Sequence, residues 1–152
     1  DKIEVKSTSS EERIHHFSLD QLNPSPNSRL LIASVIVRES GQGNGGLSVR
    51  DLYERICKRV TAISARLQLY TIMAETIGSD LAKLDNTFFD YTEASDTLAF
   101  FDSNDVPHID KTDVPQFVSE VKFSSNLSHL IDIQNALSIF DRSNSPLYKS
   151  LF

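Results

Sequence analysis

SVRDLYERICKRVTAISARLQLYTIMAETIGSDLAKL, residues 48–84, is the stretch on which a reading of this chain turns. Ser48 with Asp51 three residues on makes a capping-box-like helix start. Apolar residues then recur at alternating spacings of four and three: Val49, Tyr53, Ile56, Val60, Ile63, Leu67, Tyr70, Ala74, Ile77, Leu81, Leu84, and on to Phe88 and Tyr91. A seven-residue repeat held this long lays one stripe along one helix face. The spacing predicts one continuous helix from Ser48 to at least Ile77, and an unbroken run to Leu84 would measure about 55 Å at 1.5 Å per residue. Ala65, Leu69 and Ile72 lie off the stripe, so the middle of the helix is expected to be covered on all sides. Gly78 is the weak point, since glycine inside a helix costs about 1 kcal/mol relative to alanine.

Working outward, the first twelve residues are polar and read as a loose, mobile N-terminal segment. Leu30–Val37 is short, apolar and β-branched towards its end, which favours a buried strand. Two loop signals flank it: Asn23-Pro24-Ser25-Pro26-Asn27-Ser28 before, and the glycine-rich Gly41–Gly46 after. Asp85–Asp113 is acidic. Asp113 reads as the cap of a further helix through Val114, Phe117, Val118 and Val121, and a second apolar stripe runs through Leu127, Leu130, Ile131, Gln134 and Leu137. The expected architecture is therefore a mainly α single domain over residues 1–152. In it, the long heptad-patterned helix packs with shorter C-terminal helices beside an extended or single-strand N-terminal segment. The alternative is α+β.

Composition narrows the function classes. The chain has 152 residues, 39% of them apolar and 24% charged, with a net charge of −6. That length suits one domain with a real core. The charge offers no global attraction to a phosphate backbone, so no nucleic-acid partner is expected. Cys57 is the single cysteine, which excludes an internal disulfide or a cysteine-based zinc site and points to a cytoplasmic or other intracellular setting. No apolar run reaches the length of a membrane span. A start at Asp1 rather than Met reads as an excised or processed piece.

Several short patterns invite a chemical reading. Gly41-x-Gly43-x-x-Gly46 has dinucleotide-fingerprint spacing between a strand and a helix, but Arg38-Glu39-Ser40 loosens the turn and no second strand with an acidic end follows. Asp102, Asn104, Asp110 and Asp113 fall at calcium-loop positions, with Pro107 where glycine is required. His108 and His129 lack partners at metal spacing. No cofactor, no metal and no catalytic residue is expected from these patterns.

His15-His16-Phe17-Ser18-Leu19-Asp20 has the form HHxxxD and resembles the motif of condensation-type and wax-ester-synthase-type acyltransferases. The resemblance implies that His16 acts on the acceptor nucleophile and that Asp20 is structural, although Gln21 stands where that motif has glycine. A separate likeness to the N-terminal half of those enzymes runs through Leu30–Val37, Asp51–Leu67 and Asp141-Arg142-Ser143-Asn144-Ser145-Pro146-Leu147. It implies a strand within Leu69–Met73 and a chain that stops before the catalytic motif.

The stripe remains the least accidental feature. It implies a helical-bundle or coiled-coil module for protein–protein interaction, a scaffold binding a copy of itself or a partner subunit. The contact is expected at Ile56, Val60, Ile63 and Leu67 or at Ile77, Leu81 and Leu84, because uncovered apolar area of this kind seeks a partner. The acyltransferase half is the alternative.

Overall fold

The computed structural model describes residues 2–25, 28–41 and 46–133. The central glycine of the fingerprint, Gly43, the stripe residues Gln134 and Leu137, and the Asp141–Leu147 likeness lie outside the described residues. In chain order the elements are β1 (Lys2–Thr8), β2 (Ile14–Ser18), β3 (Leu30–Ile36), β4 (Glu39–Ser40), β5 (Leu47–Ser48), α1 (Val49–Arg59), α2 (Ile63–Ile77), β6 (Phe88–Phe89), α3 (Tyr91–Asp96), β7 (Ala99–Asp102) and β8 (Lys122–Asn126). The protein is mixed α/β, 31% helical and 27% strand, and this replaces the expected mainly α bundle and coiled coil. Two compact units result, one from Asp1–Ile36 with Ser95–Phe152 and the other Val37–Ala94. Among the described residues no helix is long and apolar enough to cross a membrane.

The first unit is built on β3. Leu30, Ile32, Ser34 and Ile36 alternate along one face and are all buried, which is the period-2 pattern of a strand. β1 pairs with β3 in parallel, Lys2 opposite Leu30 and Lys6 opposite Ser34, and β7 pairs with its other edge antiparallel. A two-stranded ribbon of β2 and β8 sets Phe17 opposite Phe123 and His15 opposite Ser125. Phe17, Leu22, Leu30, Ile32, Phe101, Val106 and Leu127 close the core, with Phe123 and Leu130 packed against it. Each large side chain buried this way contributes about 1.5–3 kcal/mol. Residues 2–8, read as a loose terminus, are thus the β1 edge of this sheet.

Val37–Ala94 is threaded between β3 and β7. Thr97 closes the first unit at the point of departure: its Oγ1 accepts from Ile36 N at 3.1 Å and donates to Ile36 O at 3.3 Å. Within the second unit, β4 and β5 flank β6 in a small antiparallel sheet. Gly46 sits at a close approach there, since a Cβ would press on Ser40 Oγ and meet Phe88 Cβ at 3.0 Å and Gly41 O at 3.2 Å. The expected capping box is present, with Ser48 Oγ accepting from Asp51 N and Asp51 Oδ2 accepting from Ser48 N. The Asp51 carboxyl is held below its ordinary range chiefly by the Ser48 hydroxyl.

The single long helix does not form. α1 ends at Arg59, Val60 and Ala62 are extended, and α2 starts afresh at Ile63. Adjacent β-branched Val60 and Thr61 favour that extended turn. Arg66 fixes it by donating from Nε to Val60 O at 2.6 Å. Leu67–Met73 is helical in α2, so the strand implied by the acyltransferase likeness is absent. Residues 114–121 carry no helix, and the Leu127–Ile131 stripe lies in turns after β8. Pro115 and the positive φ of Phe117 and Glu120 break any helical run there.

Candidate functional site

β1 is built inside out. Lys2, Glu4 and Lys6 share the face that β3 lines with buried Leu30, Ile32 and Ser34. Val5, pointing the other way, is 65% exposed. Glu4 and Lys6 keep only 29% and 18% of their side-chain surface. Charged residues on the inner face of a strand are the informative exception to hydrophobic burial, and they must be paired to be tolerated.

The pairing is complete and local. Lys6 Nζ lies 3.1 Å from Glu4 Oε1 and donates to Gln21 Oε1 at 3.2 Å. Gln21 Nε2 donates to the same Glu4 oxygen at 2.6 Å. Gln21 Oε1 also accepts from Ser18 N at 2.9 Å, so the turn after β2 carries the amide to the charged pair. The Phe17 ring lies under the ammonium, 4.9 Å from Nζ to the ring centroid. Beside the pair opens a cavity of about 440 Å³, with Lys2, Glu4, Asp20 and Gln21 as its polar wall and Ile3, Pro24 and Leu30 as its apolar one. Asp20 is held by Lys111, Nζ to Oδ1 at 2.7 Å.

A buried polar network stands behind Lys6. Ser34 Oγ accepts from Arg13 NH1 at 2.8 Å, and His15 Nε2 lies 2.8 Å from the same hydroxyl. Arg13 also reaches Ser34 O and Thr97 O. Burial, followed by the charges of Arg13, Lys6 and His16, pushes the His15 pKa down. His15 is therefore a neutral core residue near neutral pH.

The other sequence candidates scatter. His16 is exposed, its Nδ1 2.8 Å from the cross-strand hydroxyl of Ser124, so the HHxxxD residues do not converge: one His is core, one is surface, and Asp20 lies at the cavity. Asp102 pairs with Arg29 and Asp110 with His108. Among the described residues no three His, Cys, Asp or Glu side chains group as a metal site. Of the proposed contact residues, Ile56 lies on α1, Val60 at its end, and Ile63 (83% exposed), Leu67 (65%) and Ile77 on α2. Leu81 falls in the 3-10 turn after α2, and Leu84 is buried within the second unit. They belong to separate elements rather than to one helix face. Glu4, Lys6 and Gln21 were absent from the sequence candidates. The signal that could have found them is the strict alternation of charge and apolar residue in Lys2-Ile3-Glu4-Val5-Lys6.

A family model described as "Putative PD-(D/E)XK family member, (DUF4420)" matches residues 1–128. No curated protein and no solved structure matches the chain. The family finding, with its nuclease-like fold, overturns both the helical assembly module and the acyltransferase half. The letters (D/E)XK occur twice in the sequence, as Glu4-Val5-Lys6 and Glu120-Val121-Lys122. Only the first lies wholly on a strand with both charged side chains partly buried, its glutamate lining the cavity. Glu120 and Lys122 are exposed, and Glu120 sits in a loop. The sequence contains no Pro-Asp dipeptide, so the first half of the motif has no counterpart in that form.

Proposed function

We propose, from the premise that this chain belongs to the PD-(D/E)XK family that matches its residues 1–128, that it is a nuclease-like domain acting on the phosphodiester backbone of nucleic acid through Glu4 and Lys6. The observation that carries the proposal is the inverted β1, which brings a carboxylate that lines a cavity into contact with an ammonium beside it. An ammonium is a compact charge suited to a phosphate oxygen, and in a partly dry site its effect on developing negative charge is larger than in water. The Glu4 carboxylate is an acceptor only, able to orient an attacking water. Members of this family often bind DNA. The net charge of −6 sets the average field of the chain, whereas at the cavity Lys2 stands beside Glu4 and Asp20, each carboxylate already paired with a lysine, Lys6 and Lys111.

Hydrolysis of phosphodiesters at such sites commonly uses a divalent cation held by one or two carboxylates with water. Glu4 would supply one hard oxygen. The described residues add no three-ligand cluster, so they do not make up a cation site by themselves.

The test is binding and cleavage of end-labelled single- and double-stranded oligonucleotides, with and without Mg²⁺. K6M should weaken binding and abolish cleavage, and E4Q should abolish cleavage while leaving binding within a few-fold. Removing a group that stabilises transition-state charge costs on the order of 10²–10³ in kcat. If the wild type neither binds nor cleaves, or both variants behave as wild type, the proposal is wrong.

A further inference from the structure

We infer that Gln21 is a positioning residue for the Glu4–Lys6 pair, an inference that rests on the nuclease-like reading above. A carboxylate only accepts and an ammonium only donates, so the amide has one workable orientation: Nε2 to Glu4 Oε1 and Oε1 to Lys6 Nζ. Ser18 N donates to the same Gln21 oxygen, and Gln21 N donates to Ser18 O at 3.1 Å. The amide is thereby tied at both backbone and side chain to the end of β2.

The consequence falls on Glu4. Lys6 and Gln21 both address its Oε1, which leaves Oε2 without a protein partner among the described residues. Gln21 selects which carboxylate oxygen stays open to a water or substrate atom in the cavity. It also shares the ammonium, holding Nζ between Glu4 Oε1 at 3.1 Å and its own Oε1 at 3.2 Å. Without the amide, the Lys6 stem loses its second anchor and the Glu4 carboxylate is free to turn either oxygen to the ammonium. A misplacement of about 1 Å in such a group costs on the order of 10²-fold in rate.

Two substitutions separate positioning from simple support of the turn. Q21M keeps the length and removes both amide contacts. Q21E keeps an acceptor, but its carboxyl donates only when protonated. In the complete chain, Q21M should lower kcat for oligonucleotide cleavage by about 10–100-fold, with KM within a few-fold and Tm unchanged. At neutral pH the charge introduced by Q21E repels Glu4, and Q21E should be slower than Q21M. As pH falls and that carboxyl gains a proton, the Q21E to Q21M ratio of kcat should rise. A readout independent of turnover is the side-chain amide resonance of Gln21, which E4Q and K6M should each shift. Wild-type kcat in Q21M alongside an inactive K6M would overturn this inference and spare the site. A fall in kcat that merely tracks lost Tm, a flat ratio with pH, or an amide resonance indifferent to E4Q and K6M would also overturn it. A wild type that neither binds nor cleaves would overturn the nuclease-like reading and this inference together.

Discussion

Ser34→Ala should be among the most damaging one-atom deletions in the first unit. Ser34 is fully buried on β3, and its hydroxyl is the meeting point of Arg13 NH1 and His15 Nε2, each at 2.8 Å. Deleting Oγ leaves the buried His15 nitrogen without a partner, which costs about 1–3 kcal/mol. The bond from charged Arg13 is also lost, but NH1 keeps Ser34 O at 2.9 Å and NH2 keeps Thr97 O. That loss therefore lies at the low end for a charged donor, about 1 kcal/mol. The sum, about 2–4 kcal/mol, is a large share of the 5–15 kcal/mol typical of a domain. Urea unfolding followed by fluorescence and circular dichroism reads it as a midpoint lowered by roughly 1–3 M at an m near 1.5–2 kcal/mol/M. A loss below about 0.5 kcal/mol at unchanged m would show that the hydroxyl is not the keystone of the network, and the account of β2 docking on β3 would be wrong.

Three further outcomes follow from single features. Since His15 is held neutral below its ordinary value, the unfolded chain takes up a proton that the fold resists. The associated stability is whole above about pH 6.5 and drains as pH falls through the lower folded value; H15Q should flatten that slope in stability measured against pH. Phe117 is 95% exposed and held at φ 71, a conformation costing about 1–2 kcal/mol for an L-residue. F117G should stabilise by about 0.5–1 kcal/mol after glycine's entropy is charged, seen as a Tm raised by a few degrees, whereas F117A should not. S48A removes the α1 cap and should cost about 1 kcal/mol, read as faster hydrogen exchange at the first-turn amides of α1.

How much of this was legible in the sequence depends on which rule each segment obeys. β3 follows the ordinary one: short, apolar, β-branched, bounded by loop signals. The long stripe misled because Val60-Thr61-Ala62 breaks the helix without breaking the count, so apolar identity at every third or fourth residue continues in phase from α1 into α2. α2 is apolar on every side and has no buried residue, so its heptad register carried no information about a face. β8 was invisible for the opposite reason: KFSSN has one apolar residue, and its strand state comes from pairing with β2. β1 reads as a polar terminus because its inner face is charged. Local rules are expected to fail at functional positions, and the residues they pass over in β1, Glu4 and Lys6, are those of the proposed site. Gln21 reaches them across 15 and 17 positions of sequence, a relation that no local pattern encodes.

The hydroxyl of Thr97 clasped on Ile36 has a meaning for the lineage of the molecule as well as for its packing. It holds Ile36 and Thr97, the residues of the first unit that flank the excursion Val37–Ala94, within hydrogen-bond distance of each other, so the chain leaves and rejoins that unit at one point. Closing an excursion of about sixty residues, rather than one of about six, costs the folding chain only about 2 kcal/mol of entropy by the logarithmic law. Excursions there can grow, shrink or be exchanged at small thermodynamic cost, while β1 and its charged face are left alone. The same point is a natural graft site. A foreign domain whose own ends lie close together could be spliced between Ile36 and Ser95, and the nuclease-like sheet would carry it as a passenger.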